Sequence, residues 1–220
     1  MIRAILFDLD GVLCDFSHSF SRLAATLYDD VAPHDTFTQD SFSWLFEKIG
    51  KEGQERVWAA VLAREDFWLK IPSLLTEYDR RAMWMLFDEG VDIIYLTNRH
   101  NKGTMLDQTQ QWIWRHDLPN GLIHPVKDKD LHLRERMLEA GKPVLRLDNV
   151  EREAPGSLLG VIEDNPRNLE KYERGIAAWY TRPVVYAADR KYNRDAAPSL
   201  PRVNSVMDFC DRLLNYMETE

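Results

Sequence analysis

Residues 2–7, Ile-Arg-Ala-Ile-Leu-Phe, run directly into Asp8-Leu9-Asp10 and are halted by Gly11. Ile2, Ile5, Leu6 and Phe7 make an apolar stretch short enough for a buried strand, and Gly11 breaks it with a turn. The spacing therefore puts two carboxylates at the C-terminal end of a strand, where open α/β sheets place their active sites. Burying two like charges so close together is costly unless a cation neutralises them. A hard, oxygen-seeking ion such as Mg²⁺ meets that need. A chance acidic turn is the other reading of these residues taken alone.

Further along the chain the same pattern returns. An apolar run at 91–96 ends in Thr97-Asn98-Arg99, and another at 158–162 ends in Glu163-Asp164-Asn165-Pro166. Additional strands are expected at 122–126 and 176–180. Helices are expected at 104–115 (Met105, Trp112, Ile113), 131–139, 168–174 and 206–217. Strands alternating with helices predict an α/β fold with a doubly wound parallel sheet. Residues 142–157 fit this scheme poorly, and 144–147 reads either as a strand or as part of an insertion. The stretch 182–202, with three prolines and several charges, is expected to be a surface excursion with no catalytic part.

Between the first strand and 91 the chain reads helical. Residues 17–27 carry Phe20, Leu23, Ala24 and Leu27 on one face, and Asp40 is placed to cap a helix with Phe42, Leu45, Phe46 and Ile49. Val57, Trp58, Val61 and Leu62 group together over 54–63; 67–72 reads as an extended return; 77–89 is a helix ended by Gly90. A segment of this length with its own apolar face is not a loop. It predicts a helical cap at 16–71, set into an α/β core made of 1–15 and 72–220.

Composition narrows the function. A net charge of −8 argues against sequence-independent binding to long nucleic acid, but leaves room for a small phosphorylated substrate met by a metal and a few local cations. Only Cys14 and Cys210 are present, giving no disulfide framework and suiting a reducing compartment; both are expected to be packing residues. No apolar run of about 18 residues suggests a membrane span. With the first strand starting at residue 2 there is no room for a leader, so a cytoplasmic location is expected.

Taken in order, Asp8-Leu9-Asp10, Thr97, a lysine and Glu163-Asp164 resemble the four motifs of the haloacid dehalogenase-like (HAD) hydrolase superfamily. That resemblance implies a Rossmann-like sheet and an Asp8 nucleophile that forms an aspartyl-phosphate. Asp10 would first protonate the leaving oxygen and then activate water. Mg²⁺ would be held by Asp8, the backbone carbonyl of Asp10 and Asp164. Thr97 would donate to a phosphoryl oxygen, helped by backbone N–H groups near Asn98, while a lysine balances charge. Lys127, Lys129 and Lys142 all stand between the second and fourth motifs, and Lys142-Pro143 resembles a pair common in the superfamily. Glu163 is either a partner of the metal ligands or the cap of the next helix.

A narrower resemblance is to the 5'(3')-deoxyribonucleotidases. It rests on the stretch 8–16, on the Phe- and Arg-containing helix behind it, on 66–71, on Trp112 and on Lys127-Asp128-Lys129. It implies that Lys129 is the phosphate lysine and that Lys127 stands where that family has Arg. Phe16 and Trp44, with Phe42 nearby, would enclose a nucleobase by stacking; the alternative for each is an ordinary core aromatic. Thr97-Asn98-Arg99 replaces the family's usual Thr-Ser-Pro, Glu163-Asp164 replaces Asp-Asp, and 130–162 intervene after the lysine where that family is short. The expected activity is Mg²⁺-dependent hydrolysis of a phosphomonoester, with a nucleoside monophosphate as substrate. A sugar phosphate is the competing substrate. A catalytically silent binding protein is the competing class, against which the intact Asp8, Asp10, Thr97 and Asp164 weigh.

Overall fold

The computed structural model describes residues 3–33, 43–99, 104–126, 129, 145–147, 150–152, 157–175 and 184–219. Its strands are β1 (Arg3–Asp8), β2 (Val91–Thr97), β3 (Leu122–Pro125), β4 (Leu145–Leu147), β5 (Val150–Arg152), β6 (Ser157–Glu163), β7 (Val185–Ala188) and β8 (Arg202–Val203). Six of them form one sheet in the order β3-β2-β1-β6-β7-β8, every neighbouring pair parallel. This is the doubly wound α/β arrangement that the alternation of strands and helices predicts.

Side chains along β1 alternate between two apolar layers, as the period of a strand requires. Ile5 and Phe7 join a cluster with Met83 and Leu86 of α3 (Glu77–Asp88), Trp112 and Ile113 of α4 (Met105–Arg115), and Phe209 and Leu213 of α6 (Val206–Thr219). Ala4 and Leu6 face the opposite cluster, with Leu169 and Tyr172 of α5 (Pro166–Arg174). Burial on both faces explains why these strands read as continuous apolar runs. At Gly160 a Cβ would come within 2.9 Å of Leu213 and Phe209, so the missing side chain lets α6 lie close on β6.

Helix α1 (Phe16–Ala25) starts at Asp15, whose carboxylate accepts the His18 N–H at 2.9 Å. The two helices expected next are one element, α2 (Ser43–Ala63), bent at Gly50, where φ is 65°. Val57 and Val61 turn inward as expected, whereas Leu62 is 56% exposed and Trp58 38%, so the buried stripe is narrower than the sequence suggests. The return at 67–72 is not extended throughout: Trp68–Lys70 forms a 3-10 turn and extended backbone resumes at Ile71. A tight turn lets the adjacent Phe67 and Trp68 bury in one cluster, where the alternation of a strand would send them to opposite faces.

Where this segment leaves and re-enters the sheet domain, the chain is paired. Leu74 N–H donates to Leu13 O at 2.9 Å and Asp15 N–H to Pro72 O at 2.8 Å. Helix α4 grips the return: the Trp112 indole donates to Ile71 O at 2.7 Å, and Gln108 Oε1 accepts the Trp68 N–H at 3.2 Å.

One expectation is corrected, and one open alternative is decided. The stretch expected to be a surface excursion is not one over its described residues, 184–202: β7 and β8 extend the sheet, and Arg190 and Asn193 between them are buried. Strands of four and two residues are too short for a pattern, and Pro198 and Pro201 lie in their connection, not in either strand. Within the stretch read as strand or insertion, Leu145–Leu147 forms a strand, β4, that pairs antiparallel with β5 in a separate hairpin. The helix expected at 131–139 and the strand expected at 176–180 lie outside the described residues. Among the described residues no helix is long and apolar enough to cross a membrane.

Candidate active site

The strand order reverses around β1, which lies between β2 and β6, and the crevice beyond their carboxyl ends is where such sheets bind ligands. Asp8 ends β1, and Glu163 ends β6 with Asp164 following it. Ligand oxygens of Asp8, Glu163 and Asp164, all buried, lie within 4.8 Å of one another. The Lys129 ammonium, also buried, is 2.5 Å from Asp8 Oδ1 and 3.2 Å from Glu163 Oε2. Gly11, at φ 94°, closes the turn after β1; any Cβ there would run into the Asp164 carboxylate, so glycine is needed for both backbone and space.

Three carboxylates share one ammonium among the described residues, and the electrostatics record the surplus. Burial, then Glu163, push the Asp8 carboxyl well above its usual range, with Lys129 pulling the other way. Burial and Glu163 likewise push Asp164 up to about 6. For Glu163 burial is outweighed by Lys129 and by hydrogen bonds, so it is held below its ordinary value. Burial would lower the Lys129 pKa, but Asp8 and Glu163 raise it and keep the ammonium charged. The cluster suits a divalent cation with oxygen ligands. One atom points there directly. Asp164 Oδ1 is buried with no hydrogen-bond partner, while its Oδ2 accepts the Tyr192 hydroxyl.

The remaining predicted residues fall around this cluster. Asp10 sits in the turn with its carboxylate paired to Arg99: Nη2 donates to Oδ1 at 2.7 Å and Nε to Oδ2 at 3.2 Å. Thr97 ends β2 and is buried, its hydroxyl accepting the Arg99 N–H at 3.1 Å, and Asn98 is the exposed residue of that turn. Glu163 Oε1 accepts the N–H groups of Asp164 and Asn165, but the side chain that caps α5 is that of Asn165. Capping therefore belongs to Asn165, and Glu163 belongs to the acidic cluster.

Above the carboxylates opens a cleft of about 560 Å³, lined by Asp8, Asp10, Lys129 and Asp164 at its base and by Phe16, Phe46, Asn98 and Tyr192 on its walls. Phe16 is both cleft wall and cluster member: its ring stacks on Trp68 (5.7 Å, 7°) and on Trp58 (5.7 Å, 25°). Among the described side chains of α2, Phe46 is the aromatic that lines the cleft. The Trp44 side chain, Phe42, Lys127 and Lys142 lie outside the described residues.

Arg99, Tyr192, Arg190 and Asn193 join the site without having stood out in the sequence. Arg190 Nε donates to Gly11 O at 3.0 Å and Asn193 Nδ2 to Asp164 O at 2.8 Å, so the β7–β8 connection fixes the turn after β1 and the start of the β6 loop. Position was the one signal the sequence carried: Arg99 directly follows the Thr97-Asn98 strand end. Cys14 is buried; burial and Asp10 push its thiol up, as befits a packing residue.

The family described as 5' nucleotidase, deoxy (pyrimidine), cytosolic type C protein matches residues 1–150, ending before β6. No curated protein matched the chain. Among solved structures, a protein from Burkholderia xenovorans LB400 assigned as a haloacid dehalogenase-like hydrolase is 15% identical, each chain covering 98% of the other, with a TM-score of 0.56. One from Thermotoga maritima assigned as a beta-phosphoglucomutase is 15% identical over 99% of both chains, with a TM-score of 0.53. The D,D-heptose 1,7-bisphosphate phosphatase of B. bronchiseptica, complexed with magnesium and phosphate, is 11% identical over 98% of this chain and 99% of its own, with a TM-score of 0.50. At these identities the likeness is one of fold.

Proposed function

This chain belongs to the cytosolic type C 5' nucleotidase family of HAD-superfamily phosphatases, and from that premise we propose that it hydrolyses a nucleoside monophosphate in a Mg²⁺-dependent reaction through an aspartyl-phosphate. The observation that carries the proposal is the buried trio Asp8, Glu163 and Asp164 with Lys129 at the base of an open, aromatic-walled cleft.

Asp8 attacks phosphorus, forming its own acyl-phosphate as the bond to the leaving oxygen breaks. Asp10 gives that oxygen a proton, then takes one from the water that hydrolyses the intermediate. Asp8, Asp164 and the Asp10 carbonyl would hold Mg²⁺, which when bound neutralises the carboxylates and draws phosphate toward them. Lys129 offsets charge on the phosphoryl oxygens, and Thr97 and Asn98 supply donors at the end of β2. Phe16 and an aromatic of α2, Phe46 or the expected Trp44, would stack on the base. In this account 16–71 is the cap over a core of 1–15 and 72–220, and the enzyme works in the cytosol.

The test is a panel of phosphomonoesters assayed with Mg²⁺. Turnover of nucleoside monophosphates ahead of sugar phosphates is expected. Preference for a sugar phosphate would overturn the substrate, and no turnover of any ester would overturn the activity.

A further inference from the structure

We propose that Arg99 is the positioning residue for Asp10, holding its carboxylate plane at the angle needed for proton transfer in the reaction proposed above. The contact is a forked one, through Nε and Nη2 to both carboxylate oxygens, which fixes orientation as well as distance. Arg99 is itself locked. Its Nη1 donates to Thr109 Oγ1 at 2.9 Å, its Nη2 also reaches Cys14 Sγ at 3.1 Å, and its guanidinium lies 4.7 Å from the centre of the Trp68 ring. The Arg99 side chain is 1% exposed, whereas Asp10 keeps 26% of its own open toward the cleft. A buried ion pair is a poor device for stability, because desolvation consumes most of the attraction. Orientation of a cleft-facing carboxylate is the better account. Trp68 packs against both Arg99 and Phe16, so the cleft wall and the Asp10 fork share one group of planar side chains.

In the step concerned, the bond from Asp8 to phosphorus forms, the bond to the leaving oxygen breaks, and the Asp10 proton passes to that oxygen. An alkoxide leaving group such as a ribosyl oxygen needs the proton; p-nitrophenolate does not. Arg99→Ala and Arg99→Lys should therefore be compared with the unaltered enzyme in single-turnover formation of phospho-Asp8, using a nucleoside 5'-monophosphate and p-nitrophenyl phosphate. The expected result is a loss of about a hundredfold or more with the nucleotide and a small loss with the nitrophenyl ester. Added guanidinium should restore part of the nucleotide rate in Arg99→Ala. The lysine variant keeps a cation without the fork, so it should show the same selective defect and remains informative if the alanine variant does not fold. Equal losses on both esters, or no selective defect, would overturn the role of Arg99. Failure of the unaltered enzyme to form phospho-Asp8 would instead overturn the underlying mechanism.

Discussion

Lys129 bridges two strands' worth of acid: its ammonium is 2.5 Å from Asp8 Oδ1 at the end of β1 and 3.2 Å from Glu163 Oε2 at the end of β6. Removing it leaves the Asp8 and Glu163 carboxylates facing one another without the ammonium that bridges them. Lys129→Met should lower turnover by about a hundredfold or more, because charge stabilisation in a dry site is worth several kcal/mol. Steady-state kinetics check this, and a change of less than about threefold would remove Lys129 from the mechanism.

Asp8→Asn is nearly isosteric and should fold, yet lose turnover by several orders of magnitude. Trapping with labelled phosphate should mark the unaltered enzyme alone. Chelating the divalent cation should abolish the same activity, with recovery when Mg²⁺ is restored.

Phe16 separates base recognition from packing. If its ring stacks on a nucleobase, Phe16→Ala should raise KM for the nucleotide by about one to two orders of magnitude, from the 1–3 kcal/mol that such stacking contributes. KM for p-nitrophenyl phosphate should change far less. Equal changes would make Phe16 a structural member of the cluster with Trp58 and Trp68.

Tyr192 holds one oxygen of Asp164 and leaves the other unpartnered. Tyr192→Phe should weaken Mg²⁺ affinity by about tenfold or more, since groups that orient metal ligands are worth that much. Titration of activity against Mg²⁺ measures it, with the maximum rate recovered at saturating metal.

The carboxyl of Asp164 is pushed from 3.8 up to about 6 on folding. Between those values the folded, metal-free chain binds more protons than the unfolded one, so its stability falls as pH rises from about 4 to about 6. Asp8, raised too, acts in the same direction. A metal competes with those protons. The gain in Tm on adding Mg²⁺ should therefore be larger at about pH 7.5 than at about pH 5. Equal gains at both would argue against a cation at this cluster.

Much of the sheet was legible because β1, β2 and β6 are buried on both faces and therefore appear as unbroken apolar runs with chemistry at their ends. Asp8, Asp10, Thr97 and Asp164 stand out as site candidates by their order along the chain, and Lys129 by the deoxyribonucleotidase resemblance; the fold brings these positions together because it gathers the strand ends. Arg99 and Tyr192 were not legible in this way. Their partners lie 89 and 28 residues away, and nothing local distinguishes a buried arginine or tyrosine from a surface one. β7 and β8 were missed because they are short and the sequence around them is charged; β7 is placed by pairing with β6 and β8 by pairing with β7.

The paired crossing at Leu13–Leu74 and Asp15–Pro72 has a consequence for how such a protein can diversify. Because departure and return are hydrogen-bonded to each other, the sheet experiences the intervening segment as a closed loop, and lengthening a closed loop costs only logarithmically in entropy. Much of what lies beyond the crossing can be exchanged, enlarged or trimmed while Asp8, Glu163 and Asp164 keep their places, provided the contact of Trp68 with Arg99 is kept. In the proposed reading of 16–71 as a cap, selectivity toward the organic part of a substrate can thus be rewritten without disturbing the machinery that handles its phosphate.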